Sequence, residues 1–270
     1  MDVADVSGVA VGELLLTGSE DELVSTDNAQ LATLALSLCI LEATGLAAEA
    51  QCAIGHSLGE YTALVAAGVL DRSDATRLVA ARGRAMQAAA DACPGTLVAA
   101  IGGDVGLAEK ACEAIPGLAV ANYNGPGQTV FGGAQKIVDE FTARAKEFGF
   151  RRAIPLRVGG AFHTNLMAPA VEEFGPVLDE TTFRRGHASV VANVDGLVHS
   201  EPADWPSLLR RQLTQPVRFD DCVRALPSGA TIVECGPGKV LQGLIKRIRE
   251  DVEVRSVGEP GDLDRVGSAS

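Results

Sequence analysis

The chain has 270 residues, 47% of them hydrophobic and 21% charged, with a formal net charge of -12. That is long enough for one large core, or for a core with a smaller inserted unit, and the composition argues against disorder. The acidic balance argues against wholesale binding to nucleic acid or to an anionic membrane surface.

The opening segment, through Leu23, is acidic and lacks the basic start of a signal peptide. The longest apolar runs are broken by Glu or Gly before they reach membrane-spanning length. Cys39, Cys52, Cys93, Cys112, Cys222 and Cys235 contain no C-x-x-C pair and lie mostly in apolar surroundings. They read as reduced core thiols of a cytoplasmic protein, not as a disulfide framework or a zinc site.

In chain order, residues 27–48 carry apolar residues at helical spacing with small residues between them. They predict a buried helix ending at Gly45. The stretch from Gln51 to Val69 predicts a short strand, a tight turn at Ser57 and a helix starting near Leu58. A further helix follows, with Asp71, Ser73 and Asp74 as cap or first-turn residues. From Thr96 to about Arg157 the pattern becomes strand, helix, strand, strand, helix, strand. This βαββαβ order is that of a ferredoxin-like unit. Beyond it lie a candidate strand and turn at 190–196, a helical segment at 205–215 and a strand, glycine turn and basic helix over 230–250. The tail from Gly258 is expected to be loose. Strands and helices alternate outside the 95–158 unit, so the rest, 1–94 with 159–270, is expected to be an α/β-hydrolase-like parallel-sheet subdomain.

Gly55-His56-Ser57-Leu58-Gly59 fits G-x-S-x-G. On a sharp strand-to-helix turn, that pattern lifts a serine hydroxyl above a sheet, and small neighbours keep the turn free of clashes. The Leu58 amide then points towards a carbonyl under attack and can stabilise its developing oxyanion. A serine here can equally serve as a helix cap. A serine nucleophile needs a base, and the candidates are His56, His163, His187 and His199. His56 shares the turn with Ser57 and is expected to point away into packing or hydrogen bonding. His187 and His199 read as surface residues. His163, in a glycine-rich loop entering a helix and preceded by Phe162, is the best base. It lies mid-chain, and no acidic residue between it and Ser57 stands out as its orienter, unlike the triad order of a plain α/β-hydrolase.

Several motifs, in order and with matching spacing from about Leu14 to Val252, resemble those of the malonyl-CoA:acyl-carrier-protein transacylases. These form the acyltransferase family of fatty acid and polyketide synthesis. GHSLGEYTALVAAGVL is similar to that family's nucleophile motif, RGRAMQ to its arginine motif and GAFHTNLMAPA to its histidine motif. RQLTQPVRF and ECGPGKVLQGL resemble its C-terminal landmarks. The resemblance implies an α/β-hydrolase-like core with an inserted ferredoxin-like subdomain. It implies Ser57 as the acylated nucleophile and His163 as general base and then acid. It also implies that the main-chain carbonyl at Gln212 orients the histidine in place of a carboxylate. Arg82 would pair with the malonyl carboxylate through a two-pronged guanidinium contact that lysine cannot imitate. By helical spacing alone Arg82 reads equally well as a solvated arginine, as Arg84 does. The bulky Phe162 accompanies malonyl over methyl-branched substrates in related polyketide enzymes.

The implied reaction is ping-pong, from malonyl-CoA to Ser57 and on to the phosphopantetheine thiol of acyl carrier protein, with no metal or redox cofactor. Arg210, Arg211, Lys239, Lys246, Arg247 and Arg249 are candidates for a basic surface that an acidic carrier protein would need.

The sequence departs from the family at its start, where a Gly-Gln-Gly-Ser-Gln loop is normally found and has no counterpart. One amide of that loop completes the oxyanion hole, and losing such a donor typically costs roughly a hundred- to a thousandfold in rate. Two other readings therefore stand beside the transferase: a serine hydrolase or thioesterase, and a catalytically impaired homologue that docks carrier protein.

Overall fold

The computed structural model describes residues 9–19 and 25–266. The expected loop departure at the start of the chain lies largely outside the described residues. A short helix, α1 (Val11–Thr17), leads to α2 (Thr26–Thr44), which ends at Gly45 in the left-handed region, as the sequence predicts. The strand β1 (Cys52–Ala53) runs into the Ser57 turn and α3 (Gly59–Ala66).

Next comes α4 (Arg72–Ala92), capped by Asp71, whose carboxylate accepts the Asp74 N–H at 2.7 Å. Ala81, Ala85 and Ala89 on this helix are buried and leave little bulk between helices. At Gly83 a side-chain carbon would come within 2.8 Å of the Asp27 backbone, so α2 and α4 approach closely at that residue. This contact turns the preceding residue, Arg82, inward.

The strands β2 (Thr96–Ile101), β3 (Ala119–Gly125), β4 (Gln128–Gly133) and β5 (Arg152–Pro155) form one four-stranded sheet in the order β3-β4-β2-β5. All its pairings are antiparallel. The helices α5 (Val105–Ala114) and α6 (Gln135–Arg144) complete the unit, and its order is that of a ferredoxin-like fold. Its core is apolar, centred on Phe131, Phe141 and Phe150. α6 stops at Arg144, and beyond it the chain turns at Ala145 and buries Phe150.

After a loop carrying His163 come α7 (Ala168–Asp179), β6 (Ser189–Val191), β7 (Val198–His199), α8 (Trp205–Gln212) and α9 (Phe219–Arg224). The chain ends in β8 (Thr231–Cys235), α10 (Val240–Ile248), β9 (Glu253–Val257) and α11 (Pro260–Val266). The expected α/β class holds. The parallel pairing outside the four-stranded sheet is β1 with β6 and β8 with β9, and β7 adds to β6 antiparallel. The tail corrects the sequence reading. Residues 260–266 are helical, where a loose tail from Gly258 was expected, and residues 253–257 before it pair in full register with β8.

Candidate active site

Ser57 and His163 are the two non-glycine residues with positive φ among the described residues, at 53° and 60°. Each such residue costs of order 1–3 kcal/mol, so the surroundings must impose it. At Ser57 the constraint comes from both sides. Its N–H donates to the Asn193 side-chain oxygen at 2.8 Å, and its carbonyl accepts the Gln212 side-chain amide at 3.0 Å. Gly55 permits the tight crossing before it, since a side-chain carbon there would lie 2.0 Å from the backbone carbon of Gly59. Gly59 itself faces open space, so only the first glycine of the motif is demanded by packing.

The Ser57 hydroxyl meets two nitrogens. His163 Nε2 lies 2.7 Å away, and Arg82 Nη2 donates to the same oxygen at 3.0 Å. On the far side of the imidazole, Nδ1–H donates to the Gln212 carbonyl oxygen at 2.7 Å. A carbonyl only accepts, so the proton sits on Nδ1 and the Nε2 lone pair faces the serine hydroxyl. Burial, seconded by the Arg82 charge, holds His163 down to about 3, so it is neutral and able to take a proton at neutral pH. Among the described residues no carboxylate hydrogen-bonds the imidazole.

Arg82 is 1% exposed, not a solvated helix residue, while Arg84 two positions on is exposed. Its Nη1 donates to Gln30 and its Nη2 to the Gln212 side-chain oxygen at 2.9 Å. The Tyr61 ring lies beneath it, 5.6 Å from centroid to guanidinium carbon. Arg82 Nε and Tyr61 Oη have no hydrogen-bond partner among the described residues. Burial lowers the arginine's affinity for its proton, and the neighbouring Tyr61 and Glu60 oppose that effect. The result is a desolvated cation beside a nucleophilic oxygen, poised to interact with an anion.

Leu58 follows Ser57 at the head of α3, and its N–H donates to no group among the described residues. The Ser57 N–H is already taken by Asn193, which leaves the Leu58 amide as the donor of this turn without a partner among the described residues. Phe162 is half-buried and packs against both the main core and the Leu97–Val130 cluster of the four-stranded sheet. It therefore forms the apolar wall beside His163.

The other histidines behave otherwise. His56 points away from the serine, bonds Asn124 at 2.8 Å across to β3 and rests against Phe219. His187 is exposed. His199 corrects the sequence reading: it is half-buried, held between Asp195 at 3.3 Å and Asp204 at 3.2 Å. The basic candidates also divide. Arg210 is paired with Asp179, and Arg249 with Asp251 and with the Leu226 carbonyl. Arg211 and Arg247 bond the glutamines Gln215 and Gln128. Lys239 and Lys246 make no ion pair among the described residues.

Sequence reasoning passed over Glu60, Gln30 and Asn193, all buried in this site. Each was within reach of one signal: a polar residue at an apolar-periodic position of a helix or beside a short buried strand. Among the described residues there is no cluster of three or more His, Cys, Asp or Glu able to hold a metal ion. No described helix is long and apolar enough to cross a membrane.

Residues 2–260 match the acyl transferase domain family, a wider span than the Leu14–Val252 resemblance. A malonyl CoA-acyl carrier protein transacylase of Bacillus subtilis is 38% identical over 263 residues, covering 94% of this chain and 82% of the relative. An acyl-carrier-protein-S-malonyltransferase structure from Bartonella henselae superposes with a TM-score of 0.90 at 34% identity, over 97% of this chain and 87% of that one. A chain from the complex of a type II PKS acyl-carrier protein with its malonyl-transacylase gives 0.89 at 34% identity, over 99% and 89%.

Proposed function

Because the chain belongs to the acyl transferase domain family, we infer that it is an [acyl-carrier-protein] S-malonyltransferase of fatty acid or polyketide synthesis. It moves a malonyl group from malonyl-CoA to the phosphopantetheine thiol of acyl carrier protein, by way of a malonyl ester on Ser57. The observation that carries the residue roles is the convergence of His163 Nε2 and Arg82 Nη2 on one serine hydroxyl.

In the first half-reaction Ser57 Oγ attacks the thioester carbonyl, and its proton passes to His163 Nε2. The Gln212 carbonyl bears on Nδ1–H and steadies the imidazolium that forms. The Leu58 N–H receives the developing oxyanion. When the carbon–sulfur bond breaks, His163 returns the proton to the departing CoA sulfur. The second half-reaction is the reverse, with the carrier thiol attacking and giving its proton to His163.

Arg82 selects the acyl group. Its guanidinium is desolvated and faces the Ser57 hydroxyl through Nη2, so an acyl chain ending in a carboxylate gains a charge-assisted contact with it. An acetyl group leaves the buried cation with no new partner. Phe162 narrows the space at the carbon between the two carbonyls and disfavours methyl branches.

Two further assignments accompany this reading. Residues 95–158 are the inserted subdomain and 1–94 with 159–270 the larger one; the four-stranded sheet β2–β5, bridged to the rest of the chain at Asn122 and Val217, supports that division. The cytoplasm is the compartment, which six cysteines free of disulfides favour.

The test is to mix the protein with radiolabelled malonyl-CoA, with and without holo acyl carrier protein. The expected result is label on Ser57, none on Ser57→Ala, and discharge onto the carrier thiol faster than to water. Label released only as free malonate would replace this reading with a hydrolase.

A further inference from the structure

Glu60 is a buried carboxylate, 1% exposed, that makes no ion pair among the described residues and takes no part in the steps above. A carboxylate in that position costs several kcal/mol unless donors compensate it. Two donors do. Its Oε1 accepts the Asn193 backbone N–H at 2.7 Å, and its Oε2 accepts the Gln212 side-chain amide.

Those two residues aim the reacting pair. Asn193 holds the Ser57 N–H through its side-chain oxygen and the Gly55 carbonyl through its amide, at 2.8 and 2.7 Å. Gln212 presents the carbonyl that orients His163, and its side chain grips the Ser57 carbonyl and Arg82. Asn193 follows β6 and Gln212 ends α8, so separate segments supply them, and both are fully buried. Glu60 joins the two from the first turn of α3, three residues after the nucleophile.

We propose that Glu60 is the positioning residue of this site, acting through Asn193 and Gln212 to hold Ser57 and His163 in their strained, mutually aligned conformations. The assignment goes beyond the malonyl-transfer reading and rests on it only for the choice of substrate. The ionised form does the positioning, because a protonated carboxyl would turn an O–H towards one of two N–H donors. The groups facing Glu60 are Arg82 from α4, Tyr61 on its own helix, Asp195 after β6 and Cys222 on α9. Burial pushes Glu60 up to about 7, against the two N–H donors and Arg82, with Asp195 acting in the same sense as burial. Alignment therefore improves as pH rises through neutrality, in a range where His163 is already deprotonated.

The experiment measures the rate of Ser57 labelling by malonyl-CoA across pH 5.5 to 8.5 (roughly the span around a pKa near 7) for the wild type and Glu60→Gln. Glutamine has the same shape but only one acceptor oxygen, so it can satisfy only one of the two donors. The expected result is a wild-type kcat/KM that rises through about pH 7 and a Glu60→Gln profile without that rise. The variant should be lower by about ten- to a hundredfold at pH 8, the scale of loss expected from misplaced reacting groups. A Glu60→Gln variant that loads at the wild-type rate with the same profile overturns the proposal. Should that variant not fold, the wild-type profile decides alone: a flat profile overturns it. Labelling of Ser57 by a fluorophosphonate, which needs no malonyl recognition, is run on both proteins in parallel. If malonyl-CoA leaves no label on the wild type, the transfer reading fails, and the fluorophosphonate comparison still decides whether Glu60 aligns the pair.

Discussion

Between the four-stranded sheet and the helices α5 and α6, Phe131, Phe141 and Phe150 interlock with ring centroids 4.4 to 5.7 Å apart. Beneath Ser57 the interior is as dry, yet it holds Glu60, Arg82, His163, Asn193 and Gln212, all buried. In the first interior, removing each side chain from water stabilises the fold by about 1.5–3 kcal/mol. In the second, removing each from water costs free energy that only the hydrogen-bond network returns. An apolar interior tolerates graded damage. A polar one fails as a unit, because breaking one bond leaves its partner buried and unpaired. The molecule thus keeps its robust packing in the four-stranded sheet and its strain where the chemistry occurs.

That contrast can be broken most severely at Gly55. Gly55→Ala puts a carbon into the backbone of Gly59 and Glu60, so the Ser57 turn must open and malonyl labelling of Ser57 should be abolished. Phe131→Ala attacks the other interior. Chemical denaturation should show a loss of about 3–5 kcal/mol, while the protein that remains folded labels Ser57 at the wild-type rate. Labelling lost in proportion to stability would mean that the two interiors are not independent.

A third prediction uses pH. His163 titrates at about 3 in the folded chain against an ordinary 6.5, so below 6.5 the unfolded chain takes up a proton that the folded chain refuses. Stability therefore falls as pH drops from 6.5 towards 3. Glu60 has the opposite sign. Raised from 4.5 to about 7, it favours the folded state at low pH, and that contribution is lost as pH rises through 7. Of these two groups, the histidine is the one whose effect still grows below pH 4.5. Equilibrium unfolding of His163→Gln should show a shallower decline there than the wild type, and parallel curves would contradict the assignment. The smallest effect is expected at Gly59, on the first turn of α3, where open space surrounds the added methyl. Gly59→Ala should leave thermal stability unchanged or raise it, by at most about 1 kcal/mol.

The sequence made the apolar interior legible almost completely and the polar one only in part. Short apolar runs, with turns at Gly-Pro-Gly and Gly-Gly, mark β2 to β5, and local pairing then leaves few choices of order. Ser57 is legible because its turn needs Gly55 close by. The choice of Arg82 over Arg84 depends on which face of α4 meets α2, which helical spacing alone leaves open. Glu60 escaped notice because an acidic residue in a first helical turn is ordinarily a solvated partner of the helix dipole. Asn193 looked like part of a turn. β9 was missed since Glu253 and Arg255 give it a polar face, and its partner β8 is separated from it by a helix.

On the proposed function, the buried guanidinium beside Ser57 is what selects a carboxylate-bearing acyl group. The most direct measurement is the ratio of kcat/KM for Ser57 labelling by malonyl-CoA to that by acetyl-CoA, in the wild type and in Arg82→Ala. The wild type should favour malonyl-CoA strongly. Arg82→Ala should lose about a hundredfold or more of that preference, mainly through slower malonyl loading, as expected for a desolvated charge-assisted contact. An Arg82→Ala variant that keeps the wild-type ratio would contradict the claim.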